Sequence, residues 1–191
     1  GRRTAIRGAH GIPESACVFL YLGRLNRDKG MLDLADAFAQ LDRQDAWLVV
    51  VGPDEEGMQD EMLARIGASR DRCRFVGYTD QPEDYMAAAD VFCLPSYREG
   101  FGMVVIEAAA AGIPAVASRI YGVTDAVEDG VTGLLHRPGD TAGIAREMAL
   151  IAGDASRRIE MGRAARERAL SLFSRSTITV AWVRFFGQLL D

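Results

Sequence analysis

The sequence predicts a doubly wound α/β domain, a parallel sheet of about six strands covered by helices on both faces and followed by C-terminal helices. Short apolar runs rich in valine, leucine and phenylalanine recur as far as Leu135, and segments of helical spacing lie between most of them. Strand, helix, strand in repetition requires crossover connections, which make the strands parallel and bury both faces of the sheet. Beyond Leu135 the pattern turns to helices only.

In chain order, the opening "GRRTAIRGAH" reads as a linker, so residues 1–15 are expected to lead in from a missing N-terminal domain and 16–191 to form the folded unit. The strand runs are "CVFLYLG", "AWLVVVG", "CRFVG", "DVFCLPS", "PAVAS" and, more weakly, "TGLL". A helix is expected from Met31 to Leu41, where Leu34, Phe38 and Leu41 share a face. The helical tail starts near residue 140: Asp140 is placed to cap "TAGIAREMALIAG", Asp154 opens a second helix after Gly153, and a third runs near Arg175 to Leu190. In that last helix Trp182, Phe185, Phe186 and Leu189 fall at helical spacing, more apolar than a lone surface helix should be, which makes self-association through it an expectation.

Composition bounds the function. A chain of 191 residues, 49% hydrophobic and 26% charged, suits one globular domain with a sizeable core. No apolar stretch reaches the roughly 18 residues that span a bilayer, and nothing resembles a signal peptide, so a cytoplasmic setting is expected. The net charge of −5, with basic residues scattered, argues against nucleic acid as a partner. Cys17, Cys73 and Cys93 are odd in number, lack metal-ligand spacing and lie in strand-like runs, as reduced core cysteines do. His10 and His136 are the only imidazoles, read as lying in a linker and a surface loop, and no metal site is expected.

In such folds, ligands sit where strands end and helices begin. Two strand ends carry chemistry. In "YLGRLNRDKG", Lys29 is the only lysine among 22 Lys and Arg residues and shares a glycine-flanked loop with Gly23 and Arg24. A movable ammonium, an arginine fork and the next helix N-terminus suit an anion, although a solvated turn would use the same residues. The loop has neither the G-x-G-x-x-G nor the G-K-[ST] phosphate fingerprint. In "SYREGFGMVVIEAAAAG", Gly100 and Gly102 flank Phe101 before a helix from about Met103 to Ala111, so backbone amides there can approach a ligand. Glu107 lies about one turn into that helix and Glu99 just ahead of it, so both carboxylates can face one crevice. A carboxylate partly dried by Met103, Val104 and Ala108 suits a vicinal diol such as ribose; the alternative for Glu107 is an ion pair with Arg119.

Together, "GRLNRDKG", "PSYREGFGMVVIEAAAAGIPAVAS" and "DGVTGLLHRPGD" resemble the C-terminal, nucleotide-sugar-binding, Rossmann-like half of the GT-B retaining glycosyltransferases of family 4, or group 1, over roughly Val18 to Phe186. The E-x7-E signature of that family falls on Glu99 and Glu107. The resemblance implies that Arg24 and Lys29 hold the donor diphosphate beside Gly23. It puts Glu99 near the donor sugar hydroxyls, with Gly100, Phe101, Gly102, Met103 and Val104 beside sugar and phosphate. Glu107 then binds the ribose, and Tyr78 and Thr79 of "FVGYTD" lie against the base. It further implies a nucleoside diphosphate sugar as donor, transfer with retention to an acceptor hydroxyl, no cofactor and no metal, and an acceptor pocket on the missing N-terminal domain. The chain contains no D-x-D triplet. Where many relatives have "GGxxE", this chain has "YGVTD" with Tyr121 and Asp125, a version similar to those of bacterial surface-polysaccharide enzymes acting on lipid-linked acceptors, peripheral at the inner membrane face. The alternatives are a non-catalytic nucleotide-sugar-binding or scaffolding module on the same fold and, opposed by the missing glycine fingerprint, a dinucleotide-dependent dehydrogenase domain.

Overall fold

In the structure, a computed structural model that describes residues 1–188, six parallel strands form one sheet: β1 (Cys17–Leu22), β2 (Ala46–Val51), β3 (Cys73–Val76), β4 (Val91–Leu94), β5 (Ala115–Ser118) and β6 (Gly133–His136), in the order β3-β2-β1-β4-β5-β6. All six lie within or one residue beyond the apolar runs read from sequence. β1 pairs with β2 over its whole length, Cys17 with Ala46 to Leu22 with Val51, and on its other side Phe19 and Leu20 pair with Val91 and Phe92. The chain thus winds outward from β1 in one direction and then returns to its other edge, and that reversal opens a crevice at the carboxyl ends of β1 and β4.

The helices are α1 (Arg2–Ala9), α2 (Met31–Ala39), α3 (Met58–Ile66), α4 (Pro82–Ala88), α5 (Met103–Ala110), α6 (Val123–Ala126), α7 (Thr141–Gly153), α8 (Ala155–Leu172) and α9 (Arg175–Gln188). Right-handed crossovers that move in opposite directions from β1 place their helices on opposite faces. α2 packs with α3 and α7, while α5 packs with α8 and α1 rests on α4. Phe19, Leu20, Tyr21, Val50 and Phe92 fill the centre of the sheet and are fully buried. The tail begins as expected, Asp140 accepting from the amide of Gly143 at 2.8 Å and Asp154 from that of Arg157 at 2.9 Å.

Three expectations change. Residues 1–15, read as a linker, contain helix α1, fastened by a buried side chain: Arg7 donates to the carbonyls of Pro13, Glu14, Ala16 and Ala88 and to Asp90 Oδ2 at 2.8 Å. Arg7 has no exposed surface, which the five bonds of its guanidinium make tolerable. His136 lies in β6 and not in a surface loop, and is 3% exposed. Burial lowers its pKa below the ordinary imidazole value. The helix from Met31 ends at Ala39, with Gln40 at its C-cap.

Cys17, Cys73 and Cys93 are buried, as expected, and burial pushes the first two thiols up to about 11 and about 12. Among the described residues α9 is exposed along Val180, Trp182, Val183, Phe185 and Phe186, with Trp182 stacked on Phe186 at 5.4 Å; Leu189 and Leu190 lie outside the described residues. No helix among the described residues is long and apolar enough to cross a membrane.

Candidate functional site

The chain leaves β1 through Gly23 and reaches Lys29 at the end of a 3-10 turn, Arg27–Lys29, whose cap Asn26 accepts from the Lys29 amide at 3.2 Å. Gly30 follows with φ +67, its Cα pressed against the carbonyl of Pro95, so that a Cβ would collide with backbone. That approach docks the Lys29 loop on the loop after β4. There Lys29 Nζ donates to Glu99 Oε1 at 2.6 Å, the two side chains only 20% and 14% exposed. Ser96, fully buried, donates from Oγ to the same Oε1 at 2.8 Å. Outside this pair, Tyr97 donates its hydroxyl to Asp33 Oδ2 at 2.6 Å and its amide to the Asp28 carbonyl at 2.8 Å. The bond to Asp33 pushes the Tyr97 phenol up to about 12.

Arg24 stands on the other lip. Its guanidinium lies 3.5 Å from Glu55 Oε2, with 63% of the side chain exposed, while the Tyr21 hydroxyl fixes its backbone by donating to the Arg24 carbonyl at 2.7 Å. Burial raises the Tyr21 pKa, and the negative charge of Glu99 adds to it. One cation is therefore held by a half-buried neighbour and the other is loosely paired at the surface, and both are of the kind that binds an anion.

Next to Arg24, Leu22, Val51, Pro53, Tyr78, Thr79 and Pro82 line a largely apolar cleft of about 380 Å³ at the ends of the first three strands. Its apolar lining suits a flat heteroaromatic ring. Pro82 also borders a second groove of about 360 Å³ between α4 and α5, where Glu107 stands with Glu83 and Met86. The two hollows thus adjoin at Pro82.

Glu107 departs from the sequence expectation. α5 buries Val105, Ile106, Ala108 and Ala109, leaving Glu107 exposed and Met103 57% exposed, so the helix does not dry this carboxylate as the apolar run suggested. It lines the α4–α5 groove. Arg119, the alternative partner, bridges Asp129 instead.

The glycine segment opens α5. Gly102 caps the helix with φ +63, and the Gly100 carbonyl meets the backbone of Gly122 so closely that a Cβ at Gly122 would overlap it. Phe101 packs edge-on against Phe173 at 5.8 Å. His10 stands apart from all of this, beside Tyr85 at the C-cap of α1. Among the described residues no group of three or more His, Cys, Asp or Glu side chains is placed to hold a metal ion.

Residues 2–168 match the family described as glycosyl transferases group 1. The chain belongs to that family. It is 40% identical over 183 residues to D-inositol 3-phosphate glycosyltransferase of Kribbella flavida, covering 88% of this chain and 43% of the relative. It is 33% identical over 189 residues to the lipopolysaccharide core biosynthesis glycosyltransferase LpsE of Rhizobium meliloti, covering 98% and 55%. The solved structure of Anabaena Alr3699/HepE in complex with UDP and glucose matches with a TM-score of 0.88 and 27% identity, over 98% of this chain and 52% of that one. The chain spans about half the length of the curated relatives it matches.

Several residues beside the predicted ones carry little or no signal in the sequence. Ser96 and Tyr97 stood inside the quoted motif, and a serine three residues before a loop glutamate is a signal for a local hydrogen bond. Glu55, Asp33 and Pro82 carried no such signal, because their place at the site depends on how separate loops meet.

Proposed function

We propose that this domain binds a nucleoside diphosphate sugar for a retaining glycosyltransferase that moves the sugar to an acceptor hydroxyl in bacterial surface polysaccharide or lipopolysaccharide synthesis. The observation that carries the reading is what gathers at the strand ends: the apolar cleft lined by Arg24, Tyr78 and Thr79 adjoins the Glu107 groove at Pro82, and the Lys29–Glu99 pair sits where the loops after β1 and β4 dock. A nucleoside diphosphate sugar offers a base, a ribose, a diphosphate and a sugar to these parts. In this reading the base lies against Tyr78 and Thr79, and the ribose hydroxyls donate to Glu107. The diphosphate meets Arg24, Lys29, the backbone of Gly23, Gly100, Phe101 and Gly102, and the amides of Met103 and Val104 that open α5. Glu99 accepts from a hydroxyl of the sugar.

The chemistry follows from charge. As the bond from the anomeric carbon to the diphosphate breaks, negative charge grows on the leaving oxygen, and Arg24 and Lys29, turned from their carboxylate partners to the phosphate, stabilise it, the role a metal plays in other transferases. Lys29 contributes from a half-dry wall and Arg24 closes from solvent. The wall that positions the acceptor and excludes water would come from a second, N-terminal domain, so this chain alone should transfer no sugar. The exposed aromatic face of α9 supports self-association, and the name of the Rhizobium relative, a lipopolysaccharide core biosynthesis glycosyltransferase, supports a lipid-linked acceptor.

The test pairs two measurements. Isotope-labelled domain titrated with UDP, GDP and ADP to millimolar concentration should show shift changes at Lys29, Tyr78 and Glu107, and absence of any change removes the donor-site reading. The full-length protein offered UDP-, GDP- and ADP-sugars should turn one over with the anomeric configuration kept, as read by NMR of the product. Binding without turnover would make it a non-catalytic nucleotide-sugar module, and inversion would remove the retaining assignment.

A further inference from the structure

We infer that Ser96 is a positioning residue that fixes the orientation of the Glu99 carboxylate toward the donor sugar, and thereby sets how strongly the domain prefers a nucleoside diphosphate sugar over the bare diphosphate; this rests on the donor-site reading above.

Two donors converge on a single oxygen. Ser96 Oγ reaches Glu99 Oε1 at 2.8 Å and Lys29 Nζ reaches it at 2.6 Å, while among the described residues Oε2 accepts no hydrogen bond. Oε1 is thereby occupied and Oε2 is left as the acceptor that a sugar hydroxyl can reach. The two donors differ in permanence. Lys29 has a flexible four-carbon stem and is the group an arriving diphosphate draws away, whereas Ser96 has one short, fully buried side chain in a loop held from three directions. The Tyr97 amide bonds the Asp28 carbonyl, the Tyr97 hydroxyl bonds Asp33, and Gly30 abuts Pro95. Once Lys29 turns to phosphate, Ser96 remains to hold the Glu99 carboxylate against rotation. Removing Oγ should leave the loop in place and free the carboxylate.

The probes are UDP, GDP and ADP with their glucose, mannose and galactose conjugates, titrated by calorimetry into the wild-type chain and into Ser96→Ala. Expected is a wild-type preference for at least one sugar conjugate over its diphosphate. Ser96→Ala should reduce that preference by about two- to tenfold, since the sugar's contact with Glu99 is loosened and not removed, while diphosphate affinity moves by less than about twofold. If Ser96→Ala fails to fold, Ser96→Cys, a weak donor in the same place, carries the comparison. An undiminished preference overturns the inference, and so does a parallel fall in both affinities, which is the mark of a purely structural role. A wild type that binds diphosphates with no preference for any conjugate overturns it as well and leaves the diphosphate site standing. A wild type that binds none of the probes overturns the donor-site reading itself.

Discussion

Replacing Lys29 by alanine should weaken binding of a nucleoside diphosphate by about 2–3 kcal/mol, or about 30- to 150-fold. Two losses add. The first is the charge-assisted hydrogen bond from the ammonium to phosphate, about 1.5–3 kcal/mol. The second is specific to this site: Glu99, 14% exposed and bonded to Lys29 at 2.6 Å, would lose its counter-charge and face the incoming anion. At about 6 Å and an effective dielectric between about 40 and 80, that repulsion costs about 0.7–1.4 kcal/mol. Against both stands the sharing of Lys29 in the wild type, whose ammonium is already partly satisfied by Glu99, and this keeps the total near the lower end. Calorimetry with UDP and GDP at low salt measures it. Because the second loss comes from a carboxylate, Lys29→Ala combined with Glu99→Gln should recover about 1 kcal/mol, or about fivefold. Equal affinity in wild type and Lys29→Ala would refute the phosphate role, and a double variant no better than the single one would refute the part given to Glu99.

Glu107→Gln should lower affinity for ribonucleoside diphosphates by about three- to tenfold, with an unchanged thermal midpoint, since the side chain is exposed on α5; a shifted midpoint in a melting scan would contradict that. Arg7→Leu should cost about 3–5 kcal/mol in urea unfolding, because four carbonyls lose the Arg7 donor together and Asp90 is left with only Arg3 and the Val18 amide. Stability should also fall as pH rises from about 5 to about 7. Burial pushes the Glu147 carboxyl up to about 7, so the folded chain keeps a proton that the unfolded chain has released in that window, and the penalty is complete above it. Glu147→Gln should remove this fall. His136, its pKa held below the ordinary value of 6.5 by burial, acts oppositely and withdraws stability as pH drops below that value.

The sheet was legible because most of its strands are buried on both faces and read as short apolar runs rich in branched residues. The tail was legible through two aspartates whose side chains can satisfy amides at helix starts. Arg7 was not legible. In "GRRTAIRGAH" nothing separates it from its solvated neighbours, and its burial depends on carbonyls at 13, 14, 16 and 88 that only the folded chain gathers. His136 was misplaced because "TGLL" is a weak strand run that continues one residue into the histidine. At the site, the motif pointed to Lys29, Glu99 and Glu107 as individual residues. It did not reveal that Lys29 and Glu99 bond each other or that Glu107 is left exposed, since loop docking decides the first and the rotation of α5 the second.

Gly30 against Pro95 and Gly122 against Gly100 leave three loops with no room to be edited separately. For laboratory evolution this makes them a single heritable cassette. A loop taken alone from a relative should misfit its neighbours, whereas all three transplanted together should seat. Insertions in the Pro95–Gly102 segment should be purged in a library, while substitutions at Tyr121, 85% exposed at the rim, should accumulate freely. Divergence in donor-sugar choice is then expected to proceed by exchange of rim side chains over an unchanging backbone.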